Sequence, residues 1–202
     1  AHSVVADKLA YLANVYAPAD TAENHTAALY HAKRAMDLSP LDPDVVFNVA
    51  QSYWHSGLIA ESQATMSRVV ELDPNHDLAQ FLRMVMPYTC AAAPRQIVEQ
   101  AIAFDATLSS DNPIRWLTLT WIGWLHINRE DWASALLAED AAARIFQVPY
   151  SFMRRALVLN KLSRPQDAID VIARQQQNWD KFDPAHYINE TAVRLCRETP
   201  AP

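Results

Sequence analysis

The chain has 202 residues, a formal net charge of −6, 50% hydrophobic residues and only 2 Gly against 12 Pro. That is enough chain to bury a core as one domain or one repeat array, and half the residues being apolar speaks against wholesale disorder. Two glycines leave no material for a dinucleotide fingerprint or a phosphate-binding loop, no apolar run approaches a membrane span, and the acidic balance argues against a nucleic-acid surface.

In chain order, residues 9–16 (LAYLANVY) read as a first helix. A second helix carries Ala28, Ala32 and Ala35 and stops near Pro40, with about three inserted residues near Ala17–Asn24. From Pro43 the pattern sharpens. Val46, Val49, Ala50 and Tyr53 stand at positions 4, 7, 8 and 11 of a 34-residue unit, one stripe of a helix. Ser62, Met66 and Val69 at positions 20, 24 and 27 form the facing stripe of its partner. The small Ala50 and Ser62 let two backbones approach, and Gly57 offers a left-handed residue where the first helix ends. Asp73-Pro74 stops the second helix.

The next stretch, 77–115, fits poorly. It has Met84 where a small residue is expected, and its second helix starts near Pro94. The unit from Trp116 regains phase with Leu119, Ile122, Gly123, Trp132, Ala135 and Ala142; the one from Pro149 does so with Phe152, Ala156, Leu159 and Ala168. Residues 184–198 read as an amphipathic capping helix, needed because an open end of stacked units exposes its core. The expectation is an all-α, right-handed α-α superhelix. It comprises about eleven helices in a single array over 1–202, with units near 6–42, 43–76, 77–115, 116–148 and 149–182.

Residues 43–76 resemble the tetratricopeptide repeat along their whole length. The block from Asp111 to Ile172 is more narrowly similar to the C-terminal repeat tails of bacterial class III adenylate cyclases and winged-helix transcription regulators. Pro113, Trp116, Gly123, Trp132, Ala133, Ala135, Pro149, Arg155, Ala156, Leu162 and Arg164 carry that likeness, and Ser163 stands where those tails have Gly. The resemblance implies a non-catalytic, cytoplasmic protein-interaction or scaffold module, once or still attached to a bacterial signalling or regulatory protein. Its alternatives are the regulatory domain of an enzyme, a cyclase or a glycosyltransferase, and a small-molecule sensor with its ligand among Trp121, Trp124 and Phe152. The start at Ala1 rather than Met points to a processed protein or a piece of a longer one.

The chemistry-bearing residues form no catalytic constellation. The seven histidines make no HExxH, and His126, one turn from Glu130, reads as a structural residue. Cys90 and Cys196 lie far apart and read as free thiols of a reducing compartment, with one long-range disulfide between them as the alternative. No metal, cofactor, nucleic-acid or membrane partner is expected. In stacked repeats of this kind the first helices line a concave groove. By phase it holds Phe47, Gln51, Trp54, His55, Phe81, Tyr88, Trp124, Asn128 and Lys161, bordered by Asn48, Trp121 and Arg154. An apolar, aromatic lining with a few polar tips suits a protein or peptide ligand; the plainer alternative is that the tryptophans pack on neighbouring helices. Phe47 and Gln51 stand where co-chaperone repeats carry Lys and Asn, which argues against a carboxylate clamp. Residues 1–150 hold 9 Lys+Arg and 17 Asp+Glu, whereas 151–202 hold 8 and 6. That asymmetry permits head-to-tail self-association, although the favoured reading is that the charges simply solvate outer faces.

Overall fold

The structure is a computed structural model, and it describes residues 1–15, 21–146 and 148–176. These hold ten α-helices: α1 (His2–Val15), α2 (Thr21–Leu38), α3 (Pro43–His55), α4 (Ile59–Leu72), α5 (Asp77–Val85), α6 (Arg95–Thr107), α7 (Ile114–Asn128), α8 (Trp132–Ile145), α9 (Pro149–Lys161) and α10 (Pro165–Gln176). No strand occurs among the described residues. The chain is thus all-α, and α1–α2, α3–α4, α7–α8 and α9–α10 are packed helix pairs. The predicted capping helix at 184–198 lies outside the described residues, as does Cys196, and the predicted insertion near Ala17–Asn24 is only partly described.

Local chemistry sets the helix ends. Asp42 caps α3, its Oδ1 accepting from the backbone N–H of Asp44 at 3.0 Å and of Val45 at 3.3 Å, and Pro43 follows at the first helical position, where its missing N–H costs nothing. Asp131 caps α8 by accepting from the N–H of Ser134. The imidazole Nδ1 of His76 does the same for α5, accepting from Ala79 N at 3.2 Å. α5 is only 9 residues long. It gives way to a single 3-10 turn over Met86–Tyr88, where Pro87 has no N–H for the ladder.

The corner inside a pair also recurs. Gly57 has φ 78°, Glu130 φ 59° and Ser163 φ 60°. All three occupy position 15 of their units, counted from Pro43, Trp116 and Pro149. The left-handed corner is therefore a property of the repeat, supplied once by glycine and twice by residues that pay a steric penalty for it.

Two compact units divide the described residues, one from Ala1 to Pro87 and one drawn from Tyr88–Phe182. In the first unit, α1 packs on α2 and α3, and α3 on α4. Ala6, Ala32, Ala35 and Val49 form a core there, with Met36, Val45 and Tyr53 against it. The close approach expected at Ala50 and Ser62 is present: both are fully buried, and Ser62 Oγ donates to Ala50 O at 2.7 Å. The hydroxyl is thus satisfied while its small size lets α3 and α4 touch. In the second unit, α7 packs on α8, α8 on α9, and α9 on α10. Phe152, Ala156, Leu159, Ala168 and Val171 form a core cluster there. α6 is tied to α7 by buried Asp105, which accepts from Arg115 Nη2 at 2.8 Å and Thr118 Oγ1 at 2.5 Å.

Two expectations need correction. In α5, Ala79, Phe81, Leu82, Val85 and Met86 are buried, while Gln80 and Arg83 are exposed, so Phe81, expected on the groove, lies in the core. Cys90 is not a free thiol but is disulfide-bonded. The inference of a reducing compartment, which rested on free thiols, loses its ground.

Candidate functional site

The predicted groove residues of the first unit sit mainly on α3. Phe47, Asn48, Gln51, Trp54 and His55 are all half-buried there. The Phe47 ring stacks on His76 with centroids 4.8 Å apart and planes at 26°. Asn48 Nδ2 donates to Asp44 O of its own helix at 2.9 Å. His55 meets the edge of Tyr11 at 5.5 Å and lies 4.0 Å from Asp7 Oδ1, and Trp54 lies edge-on to it. The α3 face is thus a row of partly exposed rings and amides held in place by neighbours. Phe81, assigned to the same face, is 1% exposed and offers nothing to a ligand.

In the second unit the predicted residues are drawn into a tight network. Trp124 Nε1 donates to Thr89 O. Asn128 Nδ2 donates to Tyr88 O and Thr89 O, each at 2.9 Å. The next residue, Arg129, donates from Nη1 to Ala93 O at 2.5 Å. Three side chains at the end of α7 and its C-cap thereby grip the backbone of 88–93, the segment that contains disulfide-bonded Cys90. The polar tips of Trp124 and Asn128 serve the fold, and what they leave for a partner is the flank of the indole. Lys161 is exposed, with its ammonium 5.5 Å above the Trp132 ring. Trp121 is buried.

Arg154 is buried as well, at 7% exposure. Its Nε lies 2.9 Å from Glu139 Oε1, its Nη2 donates to Oε2 at 3.3 Å, and its guanidinium stacks 5.4 Å over the Trp124 ring. Glu139 is 1% exposed. Burial pushes its carboxyl up to about 7 against the pull of Arg154, which lowers it. The carboxylate has room only because residue 123 is glycine: a Cβ there would stand 2.7 Å from Glu139 Oε1 and 3.2 Å from its Cγ and Cδ. α7, α8 and α9 are thus keyed together by one Gly–Glu–Arg–Trp stack. The sequence reading missed Glu139, although a signal existed: a carboxylate at position 24, where the neighbouring unit has Met66, opposite a glycine at position 8.

His126 is half-buried, its Nδ1 lying 3.0 Å from Asp131 Oδ2. The hydrogen bond from Ser134, ahead of the nearby His126, holds the Asp131 carboxyl below the ordinary carboxylate range.

Residues 21–84 match the tetratricopeptide repeat family. The matched stretch runs from α2 into α5 and includes the whole α3–α4 pair. The tetratricopeptide phase read from Pro43 therefore agrees with both the match and the burial of Val46, Val49, Ala50, Ser62, Met66 and Val69. No curated protein and no solved structure matches the chain.

Proposed function

We propose that the chain is a non-catalytic protein-interaction module of tetratricopeptide type, acting within a larger bacterial signalling or regulatory protein. The observation that carries the reading is the family match over 21–84, since tetratricopeptide repeats generally bind proteins or peptides. The face proposed to meet the ligand is the α3 row of Phe47, Gln51, Trp54 and His55, with Asn48 at its border. In the second unit, the flank of Trp124 with Lys161 is the proposed counterpart. Partly exposed rings whose orientation is already fixed give contact area at low entropic cost, which suits them as anchors for an apolar peptide segment.

The test is affinity capture from the source cell with the intact parent protein, followed by binding measurements on the retained partner. Trp54→Ala and Trp124→Ala each weaken that binding while circular dichroism reports unchanged helix content. Undiminished binding by both variants refutes the assigned face.

A further inference from the structure

In the first unit, the packed helices α1 and α2 bring two histidines together. His2 stands on α1 one turn before Ala6, and His31 precedes Ala32 on α2. Ala6 and Ala32 are fully buried members of one core cluster, so the packing of the two helix backbones fixes where the imidazoles stand. His2 Nδ1 lies 2.7 Å from His31 Nδ1. The ring centroids are 5.0 Å apart with planes at 31°, and the Tyr30 ring meets His31 edge-on at 5.3 Å. Both imidazoles are half-buried and so remain reachable from solvent.

Two neutral imidazoles at that distance share one hydrogen bond, one Nδ1 donating and the other accepting. When both rings carry their proton on Nε2 instead, both Nδ1 lone pairs face the same space, and the pair becomes a chelate for a divalent transition metal. The spacing chooses among such metals. Two nitrogens about 2.0 Å from one ion stand roughly 2.8 Å apart when the bonds meet at a right angle, and roughly 3.3 Å apart in a tetrahedron. The observed 2.7 Å is close to the first, the geometry of tetragonal Cu²⁺, and well short of the second, the geometry of Zn²⁺. The rise in affinity along the first transition row also peaks at Cu²⁺. No third His, Cys, Asp or Glu joins the two rings in a larger metal-holding group among the described residues, so an oxygen-seeking cation such as Ca²⁺ finds no ligands here. The N-terminal end of α1 is the positive end of its dipole and works against any cation. Affinity therefore comes from the directed nitrogen lone pairs and not from a general field.

We propose that His2 and His31 form a two-imidazole Cu²⁺ site that clips α1 to α2, with water completing the coordination. Each ring comes from a different helix and is already seated, so binding needs a change of tautomer and no refolding. An ion that holds the native pair but not the unfolded chain stabilises the fold by mass action. Its water-filled positions set it apart from the closed sites of structural metals. The site is independent of the aromatic face proposed for peptides.

The experiment titrates the full chain with Cu²⁺ at neutral pH in a non-coordinating buffer and follows it by electron paramagnetic resonance and thermal unfolding. Equimolar Cu²⁺ is expected to give a tetragonal spectrum with coupling to two imidazole nitrogens and to raise the melting temperature. His2→Ala and His31→Ala each weaken binding at least about tenfold, the least that even a lost outer-shell partner costs a metal site, and each abolishes the thermal shift. His2→Gln and His31→Gln repeat the comparison where metal-free melting shows that an alanine variant has lost its fold. His25→Ala, also on α2 but placed against Ser56 Oγ at 3.4 Å, leaves binding unchanged. Undiminished binding in the His31 variants puts the ion on the N-terminal residues alone. That result, a spectrum with coupling to a single imidazole nitrogen, or the absence of a thermal shift each overturns the proposal.

Discussion

Glu139→Gln tests whether the buried carboxylate is a net gain or a net cost. The usual expectation is that removing one partner of a buried ion pair costs about 3–5 kcal/mol, because the other charge is left stranded. The structure argues for the opposite sign. The Glu139 carboxyl is raised from its ordinary 4.5 to about 7 with Arg154 already beside it, so the attraction of the guanidinium has been counted and burial still wins. A raised carboxyl binds its proton more tightly in the native than in the unfolded chain. Stability is therefore highest below about pH 4.5 and falls as pH rises towards 7. At about 1.4 kcal/mol per pH unit, the loss is about 3 kcal/mol. Gln has the shape of the protonated acid and keeps an oxygen for Arg154. The variant should therefore match the parent near pH 4.5 and exceed it above pH 7 by about 3 kcal/mol, or about 10 °C in melting temperature for a chain of this size. Urea and thermal unfolding followed by circular dichroism at both pH values measure it. A variant less stable than the parent above pH 7 would show that the pair outweighs its desolvation, and the argument would be refuted.

Two further substitutions probe the packing. Gly123→Ala gains about 1 kcal/mol in helix propensity but drives a Cβ to 2.7 Å from a carboxylate pinned by Arg154; at about 1–3 kcal/mol for such overpacking, net destabilisation is expected, and a melting temperature at or above the parent's contradicts the keyed stack. Ser163→Gly relieves a left-handed residue at φ 60°; about 1–2 kcal/mol of relieved strain exceeds the roughly 0.4–1 kcal/mol of added unfolded-state entropy, so a rise in melting temperature is expected and a fall refutes the strain.

Much of the fold was legible because the signals were local. Val46, Val49, Ala50 and Tyr53 mark a helical stripe by spacing alone, and Gly57 marks the corner that follows. Helices α3, α4, α6 and α9 begin or end close to where Pro43, Pro74, Pro94 and Pro149 punctuate the chain. What the sequence hid depends on three dimensions. Phe81 lies in the core rather than on the groove because a fixed 34-residue count cannot sense how α5 packs. Arg154 looked like a groove anchor because its partner Glu139 lies on another helix, and the pairing of Cys90 is a long-range property that spacing does not carry. Trp124 and Asn128, four residues apart, share one helical face by spacing alone. That their polar tips would clasp 88–89 could not be read without the path of that backbone.

The corners at Gly57, Glu130 and Ser163 also bear on how the chain acquires its shape. Each reverses direction between helices that meet through residues close in sequence: Ser62 with Ala50, Glu139 with Gly123. Closing such short loops costs little chain entropy, so every hairpin carries its own starting point for folding. Damage to one corner then slows a single local step while the others still form, a tolerance that suits a chain whose repeats have drifted as far apart as these.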